Sequence, residues 1–237
     1  MARKPARKAA RSSAARRPAA ATTERGKIIA AFLTLLAEHR IEQINFAEIA
    51  REAGVSLAQL RGEFSSTLAI LAAHIKDTDR AVLAADLSDL EDEPARERLF
   101  DVLMRRLEML APHRQAVRSL LRSAARNPPL ALALNALAVR SQQWMLTAAG
   151  IEASGPRGMV RAQGLALLFG SVVRTWIGDE DPGLARTMAA LDRALARGQR
   201  FAGLLDDLCH VPARICRMRS RGRRRRRAED SEESAAA

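Results

Sequence analysis

The sequence predicts an all-α protein of about nine helices, and three observations carry that prediction. Apolar residues recur at spacings of three and four nearly throughout. Proline and glycine fall at the places where such runs stop or start, as at Pro112, Pro128, Pro129, Gly150, Gly155, Pro156, Gly178 and Pro182. Residue pairs that cap helix starts stand just ahead of the early runs. A chain of 237 residues is long enough for a small helical head and a larger helical body.

Residues 1–21 are basic, rich in alanine and interrupted by Pro5 and Pro18, and are read as a disordered arm. No apolar stretch follows, so the arm is not a secretory signal. Thr23 caps a helix from Glu24 to His39 whose stripe is Ile28, Ile29, Phe32, Leu35 and Leu36. Asn45 with Glu48, and Ser56 with Gln59, are S/T/N-x-x-E/Q capping pairs for two short helices. Gly54 between them supplies a left-handed residue at the end of the first. The arrangement over 45–64 is a helix-turn-helix, with Phe46, Ile49, Leu60 and Phe64 expected to pack on the first helix. From Thr67 a longer helix carries Leu68, Leu71, Ile75, Val82 and Leu83 towards the body. Acids from Asp86 to Glu93 then form a loop that ends at Pro94.

The body reads as helices over about 95–110, 113–126, 129–149, 157–177 and 183–208. In the last, Leu184, Met188, Leu191, Leu195 and Ala202 alternate in a heptad seam, and Ala162, Ala166 and Gly170 line the helix before it. This is the expected dimer interface. Met104, Leu107, Trp144, Met145, Phe169 and Trp176 are candidates to line a pocket between body helices. No charged group stands out as an anchor there, which points to an apolar or amphipathic small molecule. Residues 210–237, an arginine block with an acidic serine-rich end, are read as a second disordered tail.

The formal charge of +12 belongs to the two ends. Residues 1–21 hold seven basic residues and no acid, and residues 211–237 hold nine arginines against four acids. The rest of the chain balances 23 basic residues against 23 acidic ones. Phosphate neutralisation supplies most non-specific DNA affinity, so on a polyanion the tails would contribute much of the electrostatic attraction.

Catalytic and metal chemistry find little support. There is no glycine-rich phosphate loop and no nucleophile elbow, and the four histidines (His39, His74, His113, His210) are scattered. Cys209, His210 and Cys216 lack zinc spacing, and two cysteines near one end give no disulfide framework. The expectation is a protein that is not an enzyme, with no cofactor and no metal, in a reducing cytoplasm.

Residues 24–75 resemble the N-terminal domain of the TetR family of transcriptional regulators. The resemblance is carried by the first helix, the INFAEIAREAGVS turn, Leu60, Phe64 and a fourth helix starting near Ser66. It implies a DNA-binding domain over 22–75, a ligand-binding and dimerisation domain over 76–209, and a dimer, usually a repressor, whose body ligand changes the separation of two recognition helices. It implies DNA contacts from Asn45, Ser56, Leu57, Ala58, Gln59, Arg61, Gly62 and Thr67, with double-stranded operator DNA as partner. Arg61 is read either as a replacement phosphate contact or as a bidentate partner of guanine, and Gln59 as a reader of adenine. The sequence departs from the family at Glu63, whose carboxylate opposes phosphate or accepts from cytosine, and at Thr67, where a phosphate-gripping lysine is usual. A second expectation comes from a loose similarity of the segments 176–182 and 188–195 to lipid-binding accessory proteins of ubiquinone biosynthesis, which share the fold without specific DNA binding.

Overall fold

The computed structural model describes residues 23–84 and 93–199. Expectations that fall on the basic arm, the acidic loop, Ala202, the cysteines and the arginine tail lie outside them. Among the described residues the protein is all-helical: α1 (Glu24–Glu38), α2 (Phe46–Ala53), α3 (Leu57–Glu63), α4 (Thr67–Leu83), α5 (Ala95–Leu110), α6 (Arg114–Ala124), α7 (Pro128–Ala148) and α8 (Gly155–Ile177). Residues 185–199 form a further helix, α9. Single 3-10 turns at Ile41–Gln43 and Ala111–His113 lead into α2 and α6.

The capping residues form the bonds their spacing requires. Thr23 Oγ1 accepts the Gly26 amide at 3.1 Å, and Asn45 Oδ1 accepts the Glu48 amide at 2.9 Å while Glu48 accepts the Asn45 amide in return. Ser66 caps α4 and Asn127 caps α7 through the amides of Ala69 and Leu130. Gly54 ends α2 at φ 66°, and the next amide, of Val55, reaches back to the Ala50 carbonyl at 3.0 Å. A side chain at position 54 would place Cβ against its own backbone at that angle.

Two cores result. The head core joins Ile28, Phe32 and Leu36 of α1 to Ile49, Leu60, Phe64, Ile70 and Leu71. Phe46 does not enter it; the first residue of α2 is exposed, because the capping geometry turns that position outwards. The body core joins Leu103 and Leu107 of α5, Met145 of α7, Phe169 and Trp176 of α8, and Leu191 and Leu195 of α9.

Head and body meet along α4 and α6. The first half of α4 gives Ile70 and Leu71 to the head core, and its end gives Val82 to the body core, so a boundary at residue 75 falls inside one continuous helix. Ala116 of α6 is buried in the head core. Ser119 Oγ donates to the His39 carbonyl at 2.7 Å, and Asn127 Nδ2 donates to Glu42 at 3.2 Å. The end of α1 is therefore fastened to the body independently of α4.

Arginines close the far end of α8, where unpaired carbonyls gather. Arg118 donates to the Ile177 carbonyl at 2.7 Å, and Arg114 donates to that of Asp179 at 2.8 Å with its guanidinium 4.7 Å from the Trp176 ring centre. Asp179 then anchors α9, since its carboxylate accepts both the amide and the hydroxyl of Thr187, at 2.8 and 2.6 Å. The hydroxyl bond first, then backbone amides, hold the Asp179 carboxyl below its ordinary value despite burial.

Candidate nucleic-acid interface

A recognition helix needs one face bolted down and the other free. Leu60 and Phe64 fix α3 from below, both buried in the head core. The first turn of α1 adds a second fixing point, with the Arg25 guanidinium 5.1 Å from the centre of the Phe64 ring. Above, Leu57, Ala58, Gln59, Arg61, Gly62 and Glu63 are all exposed. Leu57 leaves 54% of its surface open at the start of the helix, a placement that suits contact with a thymine methyl group.

The polar residues of this surface divide into engaged and free. Asn45 and Ser56 spend their side-chain oxygens on caps. Thr67 is half-buried as the first residue of α4. Gln59, expected both to cap α3 and to read adenine, is engaged twice: Oε1 accepts the Ser56 amide at 2.8 Å, and Nε2 donates to Glu24 Oε1 at 2.6 Å. An amide tied through both its oxygen and its nitrogen is not free to turn towards a base as an untethered glutamine would. Arg61 is the contrasting case, with no partner among the described residues. Glu24 is the residue sequence reasoning missed. It reads as an ordinary acid in the first turn of a helix, and no local signal ties position 24 to position 59.

In the body, Leu107, Phe169 and Trp176 come together in the core, with Met104 half-buried against them. Trp144 does not join them. It is 59% exposed on α7, and so does not line the space between the body helices. Met145, the candidate next to it on α7, takes the inward place, since helical spacing marks a face only to within a turn. The structure also puts charge where none was expected. Arg106 of α5 pairs with Asp79 of α4 in the interior, Ser141 Oγ donates to the same carboxylate at 2.8 Å, and the guanidinium lies 5.8 Å from the Phe169 ring centre. Arg106 Nε and Gln142 Oε1 are buried without a partner among the described residues. Nearby, His74 meets His113 edge-on at 5.1 Å; burial first, then His113 and Arg106, lower His74 to about 4, so its ring is neutral at neutral pH.

The proposed dimer seam is corrected most. Leu191 and Leu195 are buried against Trp176 and its neighbours in the chain's own core. Leu184 packs half-buried on the same cluster with a left-handed backbone at φ 53°, and Met188, 38% exposed, faces outwards. Ala162 and Ala166 of α8 are likewise buried in that core. The large apolar residues left outside on α8 are Met159, Val160 and Leu167, the last 64% exposed.

Among the described residues no group of three metal-binding side chains gathers, and no helix is long and apolar enough to cross a membrane. No family model and no curated protein matches the sequence. Solved structures do match the fold. The chain is similar to a TetR transcriptional regulator from Nitrosomonas europaea, with a TM-score of 0.58 and 20% identity over 75% of this chain and 98% of that one. It is also similar to one from Rhodococcus sp. RHA1, with a TM-score of 0.52 and 20% identity over 74% of this chain and 95% of that one. At this identity the likeness is one of fold.

Proposed function

We propose that this chain, which has the fold of TetR-family regulators, is a sequence-specific DNA-binding transcriptional regulator that works as a dimer, in most such systems as a repressor. The observation that carries the reading is Arg61: an exposed guanidinium without a partner among the described residues, on the outer face of a helix held rigidly from beneath. Its fork matches the two acceptors of guanine in the major groove. Two copies of α3 on a two-fold axis would read the two halves of a symmetric site.

The outward face of α8 supports the dimer. Val160, Gly164, Leu167 and Ser171 follow one another at helical spacing, and Gly164 leaves open space where a side chain would stand. An isologous helix pair built on that face buries Leu167 on both copies. An apolar or amphipathic effector in the body would act through α4 and α6, the two elements shared by both cores, by favouring one separation of the recognition helices over another. Arg106 over Phe169 offers such a ligand a polar contact.

Arg61→Ala tests the reading. Specific binding is expected to weaken by about 1–3 kcal/mol, with preference relaxed at one position of each half-site. Competition between the selected site and unrelated DNA measures both. An Arg61→Ala protein that keeps the wild-type preference would remove Arg61 from the interface.

A further inference from the structure

We infer that Glu24, outside the helix-turn-helix, is a specificity-determining residue: joined to Gln59, it presents a hydrogen-bond acceptor beside a donor to the edge of one base pair. The inference rests on the DNA-binding reading above and adds to it a residue from α1.

The argument starts from the Gln59 amide. Its oxygen accepts the Ser56 backbone N–H at 2.8 Å, and its nitrogen donates to Glu24 Oε1 at 2.6 Å. A backbone N–H requires an oxygen opposite it and a carboxylate requires a nitrogen, so both contacts impose the same amide orientation. A free glutamine would read adenine with its own oxygen and nitrogen. Gln59 has turned its oxygen to the start of α3, where one of its two lone pairs is taken. Side by side next to it stand the second N–H of Nε2 and the second carboxylate oxygen of Glu24, neither with another partner among the described residues.

These two groups offer the donor and acceptor pattern of a glutamine with a charge added. Adenine offers N7 as acceptor beside the N6 amino group as donor, which matches the Gln59 N–H beside the Glu24 oxygen. Guanine offers two acceptors, N7 and O6, and sets one of them against a carboxylate. The pair therefore favours adenine and rejects guanine more strongly than glutamine alone. Glu24 is held for this role. Thr23 caps the turn it begins, Arg25 lies over Phe64, and Ile28, one turn on, is fully buried. The carboxylate thus stands at a fixed place relative to α3, and reading a base requires little ordering of the side chain.

The same bond could be only a surface tie between α1 and α3, and the two roles differ in what they change. Loss of a tie weakens binding to every sequence alike; loss of a reader changes the preference at one position. The test is selection from a randomised duplex pool by the full chain, Glu24→Ala, Glu24→Gln and Gln59→Ala. Glu24→Ala and Gln59→Ala are expected to lose preference at the same position of each half-site, by about tenfold, with the other positions unchanged. Glu24→Gln keeps the shape, removes the charge and is expected to admit guanine there, which secures the test if the alanine variant folds poorly. Wild-type preference at every position in both Glu24 variants would overturn the inference and leave the regulator intact. A wild-type chain that selects no site at all would overturn both.

Discussion

Leu191→Glu is expected to unfold the body, not to separate two copies of it. Leu191 is fully buried in a cluster with Trp176, Phe169 and Leu195. Removing a buried leucine side chain costs about 2–5 kcal/mol, and an unpaired carboxylate in its place adds a desolvation penalty of several more. That sum rivals the 5–15 kcal/mol by which whole domains are stable. Loss of the cooperative thermal transition is the expected result. Leu167→Glu is its counterpart, since that residue already faces outwards from α8. It should keep the helical spectrum and sediment at monomer mass. A well-folded Leu191→Glu protein would contradict the placement of α9, and a Leu167→Glu protein still at dimer mass would move the interface elsewhere.

Asp79→Ala is expected to cost about 3–5 kcal/mol, because it leaves the Arg106 cation buried without its partner. Ser141 loses its acceptor at the same time. The pair joins α4, α5 and α7 at the point where the linking helix enters the body core, so the loss should spread beyond one contact. Denaturant titration measures it. The double replacement Asp79→Ala with Arg106→Leu should recover much of the single loss, since it removes the orphaned charge as well. Equal or greater loss in the double variant would show that packing, and not the charge, sets the cost.

What the sequence conveys about this protein depends on the range over which each signal acts. The head was legible because its signals are local. Asn45 with Glu48, Ser56 with Gln59, and Gly54 at the turn each act within a few residues, and each forms the bond its spacing requires. The seam of Leu184, Leu191 and Leu195 was misassigned for the complementary reason. A heptad period says which residues share a face, and nothing about whether that face meets a partner or the chain's own core. Trp144 and Met145 show the same limit at the scale of one residue.

The remaining misreadings involve pairs distant in sequence. Asp79 and Arg106 stand inside otherwise apolar faces of α4 and α5, the one sign that they were buried together, and only the packing of the two helices supplies the partner. Gln59 was read as a cap and a base reader with no further tie, because its second partner, Glu24, lies 35 residues away. The charge balance between the two ends, 23 basic residues against 23 acidic ones, is visible in the sequence. On the proposed reading, Glu24 beside α3 gives one of those acids a use, selection among bases at some expense in phosphate affinity.

Selection of genomic DNA fragments by the full chain at near-physiological salt tests the central claim most directly. If the exposed face of α3 reads sequence from a two-fold dimer, the recovered fragments share a two-fold symmetric site whose half-sites lie about one helical turn, or a multiple of it, apart. Fragments that share no sequence, held only at low salt by a chain that co-purifies with an apolar ligand, would contradict it. That result would make the basic ends the DNA binders and the body a lipid carrier.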